Sequence, residues 1–395
     1  MDEILALVAG LLAGTVSGLV PGIHSNTIAQ FFDAVINDPV FLGVAVVAAT
    51  SVYTVLSLLP SIFLCIPESS TVLSVLPGQK MLKEGKGLQA VEICAFSALA
   101  ALLVSLILLP SFFVIIPGVY SIVRPVMAPV LTLICIALIL QEKEIDKVAK
   151  ALFIFALAGV FGFILLTNPV LKEPLFTAFI GLFALSNLAT TMQNTTIPQQ
   201  SAPRGFRLSE LASNLLPIVV VGVLLGSVAD IFPALNSSAQ IATFGSILTG
   251  TDPGKFLSMT MSISVSHLFS SMTSLYTINK ARTGSVAVIR ENQAMPDLNT
   301  LILYFIVAAV SIAVSVILML FFSKYFIIVI NKVNLRILNM MIMLYLVAVV
   351  LLVDGFIGLF VAAVATALGT LPIMLGIRRT QLMGFLLVPA LIYLW

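Results

Sequence analysis

The chain is a succession of long apolar runs broken by short polar turns. A spanning helix needs about 20 mostly apolar residues, and only helices or closed barrels satisfy backbone hydrogen bonding in hydrocarbon. Runs this long and continuous select helices. The pattern predicts spans over residues 4–20, 40–65, 88–116, 119–140, 148–167 and 175–192, and then 213–232, 256–278, 300–322, 325–353, 355–376 and 381–395. Their edges are loose, because Pro60, Pro110, Pro117, Pro129 and Pro372 interrupt the apolar pattern.

Composition turns this pattern into a statement about solvent. Of 395 residues, 60% are apolar and 9% charged, against about 25% charged in a soluble domain. No water-facing surface can be made from that inventory, so the fold class is an all-α polytopic membrane protein, multi-pass in the cell membrane. The start, Met1-Asp2-Glu3, lacks the basic region of a secretory signal, so the first helix is expected to be retained. Cys65, Cys94 and Cys135 lie inside apolar runs without metal-ligand or redox spacing and read as small apolar packers. A net charge of +2, with basic residues in short loops, gives no support for a nucleic-acid partner.

One sustained polar segment, TTMQNTTIPQQSAPRGFRLSE from Thr190 to Glu210, separates two apolar halves. The division is residues 1–190, a linker at 191–212, and 213–395. Sliding the chain against itself by 212 residues puts GLLAGTVSGLVPGIHS, from Gly10, on GVLLGSVADIFPALNS, from Gly222. Gly10, Gly14, Pro21 and Ser25 then meet Gly222, Gly226, Pro233 and Ser237, and the same offset puts Ile66 on Ile278, Thr71 on Thr283 and Arg124 on Arg336. Matches of Gly, Pro and Arg at one constant offset predict two structural repeats, a common build of secondary transporters with the substrate site at the repeat interface.

Charge bears on how the repeats are related. Lys80, Lys83 and Lys86 mark the same side as Lys143, Lys147 and Lys150. In the second half, Lys280, Arg282 and Arg290 compete with Lys324, Lys332, Arg336, Arg378 and Arg379 on the opposite face. The larger group is cytoplasmic only if that half is inverted, which favours inversion. Six spans per half would make the repeats parallel, so inversion requires one miscounted crossing.

Candidate chemistry lies at the breaks. In Ser17-Gly18-Leu19-Val20-Pro21-Gly22-Ile23-His24-Ser25-Asn26-Thr27 an apolar helix meets Pro-Gly and then four polar side chains, and the run that follows, 28–36, is too short to span. This is the form of a broken or re-entrant helix whose next half-helix presents free N–H groups to an anion. The plain alternative is a surface helix end with Ser25, Asn26 or Thr27 as N-cap. The second-half counterpart runs from Asp230 through Pro233 to Asn236, Ser237, Ser238 and Gln240. Asp230 is the candidate for ion coupling, since an ionisable group near an intramembrane break is costly to bury; at a helix end it would be an ordinary interfacial residue. Gly10, Gly14 and Gly18 recur every four residues and read as close helix packing.

A second constellation joins Ile66-Pro67 to Glu68, Ser69, Ser70 and Thr71, and then to Leu76-Pro77-Gly78-Gln79-Lys80-Met81 with Gly85, Gly87 and Ala90. These residues resemble the TctA-like family, the large membrane subunit of tripartite tricarboxylate transporters. SGLVPGIHSNT looks like that family's first Gly-Pro-Gly break, and TNPVLKEPLFTAFIGLF, from Thr167, like its mid-chain segment. The family usually has Asp-Gly where Pro77-Gly78 stands, and its members are typically longer. The resemblance implies uptake of carboxylate anions coupled to an ion gradient, with partner subunits.

The second-half match to Glu68–Thr71 is Lys280, Ala281, Arg282 and Thr283, whose cations would neutralise an anion or simply set topology. His24 is a site candidate by its neighbours; His267 reads first as a hydrogen-bonded packer. The function expected is ion-coupled transport of a small organic anion, di- or tricarboxylate-like, by alternating access. Pro21, Gly22, His24, Ser25, Asn26 and Thr27 would face Asn236–Ser238 and Gln240, with Glu68–Thr71 and Lys280–Thr283 along the path. No cofactor is expected beyond a coupling Na⁺ or H⁺. Partners expected are the small anionic substrate, membrane lipid, a second copy of the chain and partner transporter subunits, with no nucleic acid. The runner-up is a translocase of a lipid-linked phosphate such as polyprenyl phosphate; no enzyme chemistry is indicated.

Overall fold

The computed structural model describes every residue except 1, 21–22, 65–74, 143, 169, 192–199, 201–207, 232–240, 243–251, 282, 294 and 333–334. Among the described residues all regular structure is helical. Five stretches are long and apolar enough to cross a bilayer: Pro39–Leu64, Gly87–Ile139, Ile145–Thr167, Leu298–Asn331 and Asn339–Leu375. The protein is a multi-pass integral membrane protein.

Helices α1 (Asp2–Leu19) and α3 (Pro39–Leu56) pack through the four-residue glycine row. A methyl group added at Gly14 would lie 2.5 Å from the Ala49 carbonyl oxygen, and one at Gly18 2.7 Å from Leu56 Cβ, while Gly10 sits on the Ala45 carbonyl. These contacts advance together along both helices, so α1 and α3 run side by side in the same direction. The chain must therefore come back between them, through α2 (Ser25–Val35) and the extended residues after it. That return is made by an 11-residue helix and its flanks, which a length criterion of about 20 apolar residues leaves out.

The same contact recurs between α11 (Leu208–Ser227) and α12 (Pro253–Ile278). A methyl group added at Gly222 would lie 2.7 Å from Ser262 Cβ, and one at Gly226 2.7 Å from the Ile263 carbonyl oxygen and 2.8 Å from Ser266 Cβ, so these helices too run in one direction. Here hydroxyls add cross-helix bonds: Ser266 donates to the Val223 carbonyl at 2.8 Å and Ser270 to that of Gly226 at 2.9 Å.

Each of these pairs borrows a long helix from the other half. Beside α12 lies α6 (Gly87–Val123), joined by Ser97 donating to Ser258 at 2.7 Å and by the rings of Phe113 and Tyr276. Beside α3 lies α14 (Leu298–Lys332), whose Tyr304 fills the space over Gly43. Phe326 of α14 stacks on Phe63 of α4 (Leu58–Leu64). The long helices differ from expectation at one boundary. Residues 88–116 and 119–140 were expected as separate spans, but α6 continues through Pro110 and Pro117, and the break falls at the tight turn Arg124–Val126 before α7 (Met127–Ile139). A proline kinks a long membrane helix without ending it when neighbours and local adjustment satisfy the freed carbonyls.

A second group of helices carries the clearest information on direction. It contains α8 (Ile145–Thr167), α9 and α10 (Pro174–Phe179 and Ser186–Thr191, joined by a π turn at Ile180–Leu185), α15 (Leu335–Leu375) and α16 (Gly384–Leu394). Helix α15 breaks at Gly355, where φ is +66° and a side chain would be strained. Just before that break, Asp354 accepts hydrogen bonds from the Lys172 and Glu173 backbone N–H groups at 2.7 and 3.0 Å, and from the Thr177 hydroxyl. Past its far end, the Arg378 N–H donates to Glu142 at 2.8 Å. Lys172 follows α8 and Glu142 precedes it, so the portion of α15 after Gly355 runs antiparallel to α8. Arg378 thus lies at the face where α8 begins. At 23 residues, α8 is about 35 Å long, enough to cross the hydrocarbon.

The buried Arg379 guanidinium bonds the Leu182 carbonyl at 2.8 Å and the Ser186 hydroxyl, taking up oxygens that the π turn leaves free. In the linker region Gln200 packs back on the start of α6, accepting from Gly87 N–H at 2.9 Å. The next helix already begins at Leu208.

Two outcomes follow from this packing. Gly14→Leu should lower the thermal-unfolding midpoint and the folded yield in detergent, because its side chain falls on backbone that cannot move aside. Cysteines introduced at Glu144 and Arg378 should react with a membrane-impermeant thiol reagent from one face, and a cysteine at Lys172 from the other; all three labelling from one side would refute the directions given for α8 and α15.

Candidate functional site

The first break builds its own cap. His24, in extended conformation, precedes α2 and its Nδ1 accepts from the Asn26 N–H at 3.1 Å. An accepting Nδ1 places the proton of a neutral ring on Nε2. The ring packs on Tyr53 of α3, centroids 5.0 Å apart. The cap is thus the histidine and not Ser25, Asn26 or Thr27, the residues an ordinary helix start would use. Ser25 is buried, Asn26 half-buried and Thr27 exposed.

Asn26 meets the other half of the chain. Helix α13 (Gly284–Gln293) begins against it: a methyl group at Gly284 would lie 2.6 to 2.8 Å from the Asn26 amide group. Thr283 accepts from the Val286 N–H at 3.3 Å, capping that start. Further along, Asn292 donates to Asp33 at 2.6 Å, so α2 and α13 lie side by side in one direction. Two helix N-termini, one from each half, therefore come together, each capped by its own residues, His24 or Thr283, and each bringing the positive end of a helix dipole.

Next to this junction α3 and α12 enclose a small cavity with about 20 Å³ open to a water-sized occupant, room for a single water molecule. It is lined by Val46, Val47 and Thr50 of α3, by His267, Leu268, Ser271 and Met272 of α12, and by Thr283, Ser285 and Val286 at the start of α13. The Thr50 and Ser271 hydroxyls are buried and have no hydrogen-bond partner. Each orphaned group costs about 1 to 3 kcal/mol, a cost that a polar occupant of the cavity would offset.

Several sequence-derived candidates converge here: His24, Ser25 and Asn26 from the first half, Thr283 from the second, and His267. Lys280 sits in the turn after α12, where Asn279 takes the left-handed conformation (φ 50°) that ends the helix. Pro21, Gly22, Glu68, Ser69, Ser70, Thr71, Asn236, Ser237, Ser238, Gln240 and Arg282 lie outside the described residues. The backbone of Asp230 is in a tight turn, Ala229–Ile231, and its side chain is outside the description.

Thr50 and Ser271 were missed. The available signal was the hydroxyl density of α12, where Ser258, Thr260, Ser262, Ser266, Ser270, Ser271, Thr273 and Ser274 are all buried. Most bond their own helix or α11, as Ser262 does to the Ser258 carbonyl at 2.7 Å. Such a helix cannot face lipid, and it occupies the centre.

A helix-lined polar centre in a membrane protein fits transport, and comparison with known proteins decides the kinship. Residues 4–384 match the profile of the Tripartite tricarboxylate transporter TctA family. The chain belongs to the TctA family. Members of this transporter family are components of tripartite systems. The chain is also similar to the Uncharacterized protein MJ1079 of Methanocaldococcus jannaschii, 24% identical over 410 residues that cover 100% of this chain and 99% of the relative. No solved structure matches it.

The junction predicts a graded response. Gly284→Ala should displace Asn26, which is a flexible side chain, and so leave the thermal midpoint nearly unchanged while reducing transport; Gly226→Ala, whose methyl group meets the Ile263 backbone at 2.7 Å, should lower the midpoint more. The reverse order would contradict the contacts described.

Proposed function

We propose that the protein is an ion-coupled secondary transporter of a small organic anion, di- or tricarboxylate-like, working by alternating access between two duplicated and inverted halves. The observation that carries this reading is the meeting of Asn26 with Gly284, which sets two helix N-termini from different halves at one point. Helix N-termini bind carboxylates and phosphates without needing a formal cation. Discontinuous helices meeting at a repeat interface are the common form of a transporter site. Kinship with tripartite tricarboxylate transporters favours a carboxylate over other anions.

Duplication is supported by equivalent packing, since Gly10 and Gly14 sit on α3 as Gly222 and Gly226 sit on α12. Inversion is supported by direction: α8 and the later part of α15, equivalent under the same offset, run antiparallel. It is also supported by charge, for Arg378 and Arg379 share a face with Lys147 and Lys150, which is then cytoplasmic. In this reading Asn236–Ser238 and Gln240 complete the site from the second half, together with Glu68–Thr71, Lys280 and Arg282. Asp230 assists ion coupling, and partner subunits deliver or gate the substrate.

In proteoliposomes, Asn26→Ala should reduce gradient-driven citrate uptake by roughly tenfold or more, the loss expected for one hydrogen bond to an ionised ligand. Full activity in that variant, with the protein folded, would remove the site assignment. Soluble tricarboxylates should raise the unfolding temperature of the wild type; protection by polyprenyl phosphate instead would point to a lipid-linked phosphate.

A further inference from the structure

We infer that the cavity between α3 and α12 is a binding site for one dehydrated monovalent cation of the size of sodium, held by the hydroxyl oxygens of Thr50 and Ser271. Its role in coupling rests on the transporter reading above; the site itself rests on geometry. Ser271 is 2% exposed, and both hydroxyls line the space without a partner. Thr283 and Ser285 add oxygen atoms on the third side. Hard cations are bound by oxygen ligands, and a divalent ion calls for carboxylates. No carboxylate lines this cavity, and beside the His267 ring its polar lining is hydroxyl, so a neutral imidazole and neutral oxygens suit at most a single positive charge. The space is too small for a carboxylic acid, which separates it from the anion site.

The location supplies the coupling. Thr50 belongs to the first half and Ser271 to the second, so any movement of one half against the other changes the separation of the two ligands and hence the ion's affinity. Thr283 lines the cavity, and the next residue, Gly284, is the seat of Asn26. Cation and anion thus meet the same short piece of backbone from opposite sides. An ion bound at Thr50 and Ser271 fixes the start of α13 in the position that supports Asn26, and this ties loading of the anion to loading of the cation.

The test uses the purified full-length chain and sodium alone. At constant ionic strength, replacing choline chloride with sodium chloride should raise the thermal midpoint in a saturable manner. Thr50→Val and Ser271→Ala should weaken that dependence at least about tenfold in apparent sodium affinity while keeping the midpoint in choline. Ser274→Ala removes another buried, unpartnered hydroxyl of α12 that does not line the cavity, and it should keep the sodium response. No sodium response in the wild type, a response retained in both cavity variants, or a cavity holding only a structural water would overturn the inference. If Ser271→Ala does not fold, Ser271→Cys, which keeps the volume and replaces the hard oxygen by sulfur, carries the same expectation. Citrate uptake separates the two readings: uptake driven by a proton gradient and indifferent to sodium sinks the cation site alone, whereas a sodium response lost in the variants without uptake of any carboxylate sinks the transport reading alone.

Discussion

The hydrocarbon slab provides no hydrogen-bond partners, so every helix that breaks inside or at the edge of the membrane must have its free backbone groups satisfied by the protein itself. This requirement organises the structure. The start of α2 is capped by His24, and the start of α13 by Thr283. The carboxylate of Asp354 closes the start of α9 from 177 or more residues away, Glu142 closes the turn at Arg378, and Arg379 collects the carbonyls of the π turn. Three of these ties, those of Asp354, Glu142 and Arg379, join the first half of the chain to the second. The two halves therefore cannot be satisfied separately.

Close packing completes what the caps begin. Lipid and leucine are equally apolar, so helices in the bilayer associate through small residues that let backbones approach. Gly10, Gly14, Gly222 and Gly226 serve in this way, and each admits a carbonyl or a Cβ where a side chain would stand. The exchange of long helices, α6 to α12 and α14 to α3, then interleaves the halves. The most polar helix, α12, is left at the centre, where its hydroxyls find partners in α6 and α11.

Satisfaction is incomplete at that centre. Thr50 and Ser271 face each other's half across a cavity without a bond, a few residues from the place where two helix N-termini meet. Other buried hydroxyls, such as those of Ser105 and Ser274, are also unpartnered, and what sets Thr50 and Ser271 apart is that they share one cavity.

By itself the sequence determined the solvent, the helical class, the break around His24 and the kinship that SGLVPGIHSNT and the Ile66–Ala90 pattern displayed. These are local matters: composition sets the solvent, and a Pro-Gly pair followed by a run of polar side chains marks a helix end. Only the tertiary structure decided that α1 and α3 run in the same direction, so that the chain returns between them through the short α2, and that α6 passes through two prolines. It alone revealed Thr50 and Ser271, because an isolated hydroxyl in an apolar helix looks the same in sequence whether it bonds its own carbonyl, as Ser51 does at 2.7 Å, or stands unpaired against another helix. Direction and convergence are relations between distant segments, and the residues that carry them leave no periodic trace along the chain.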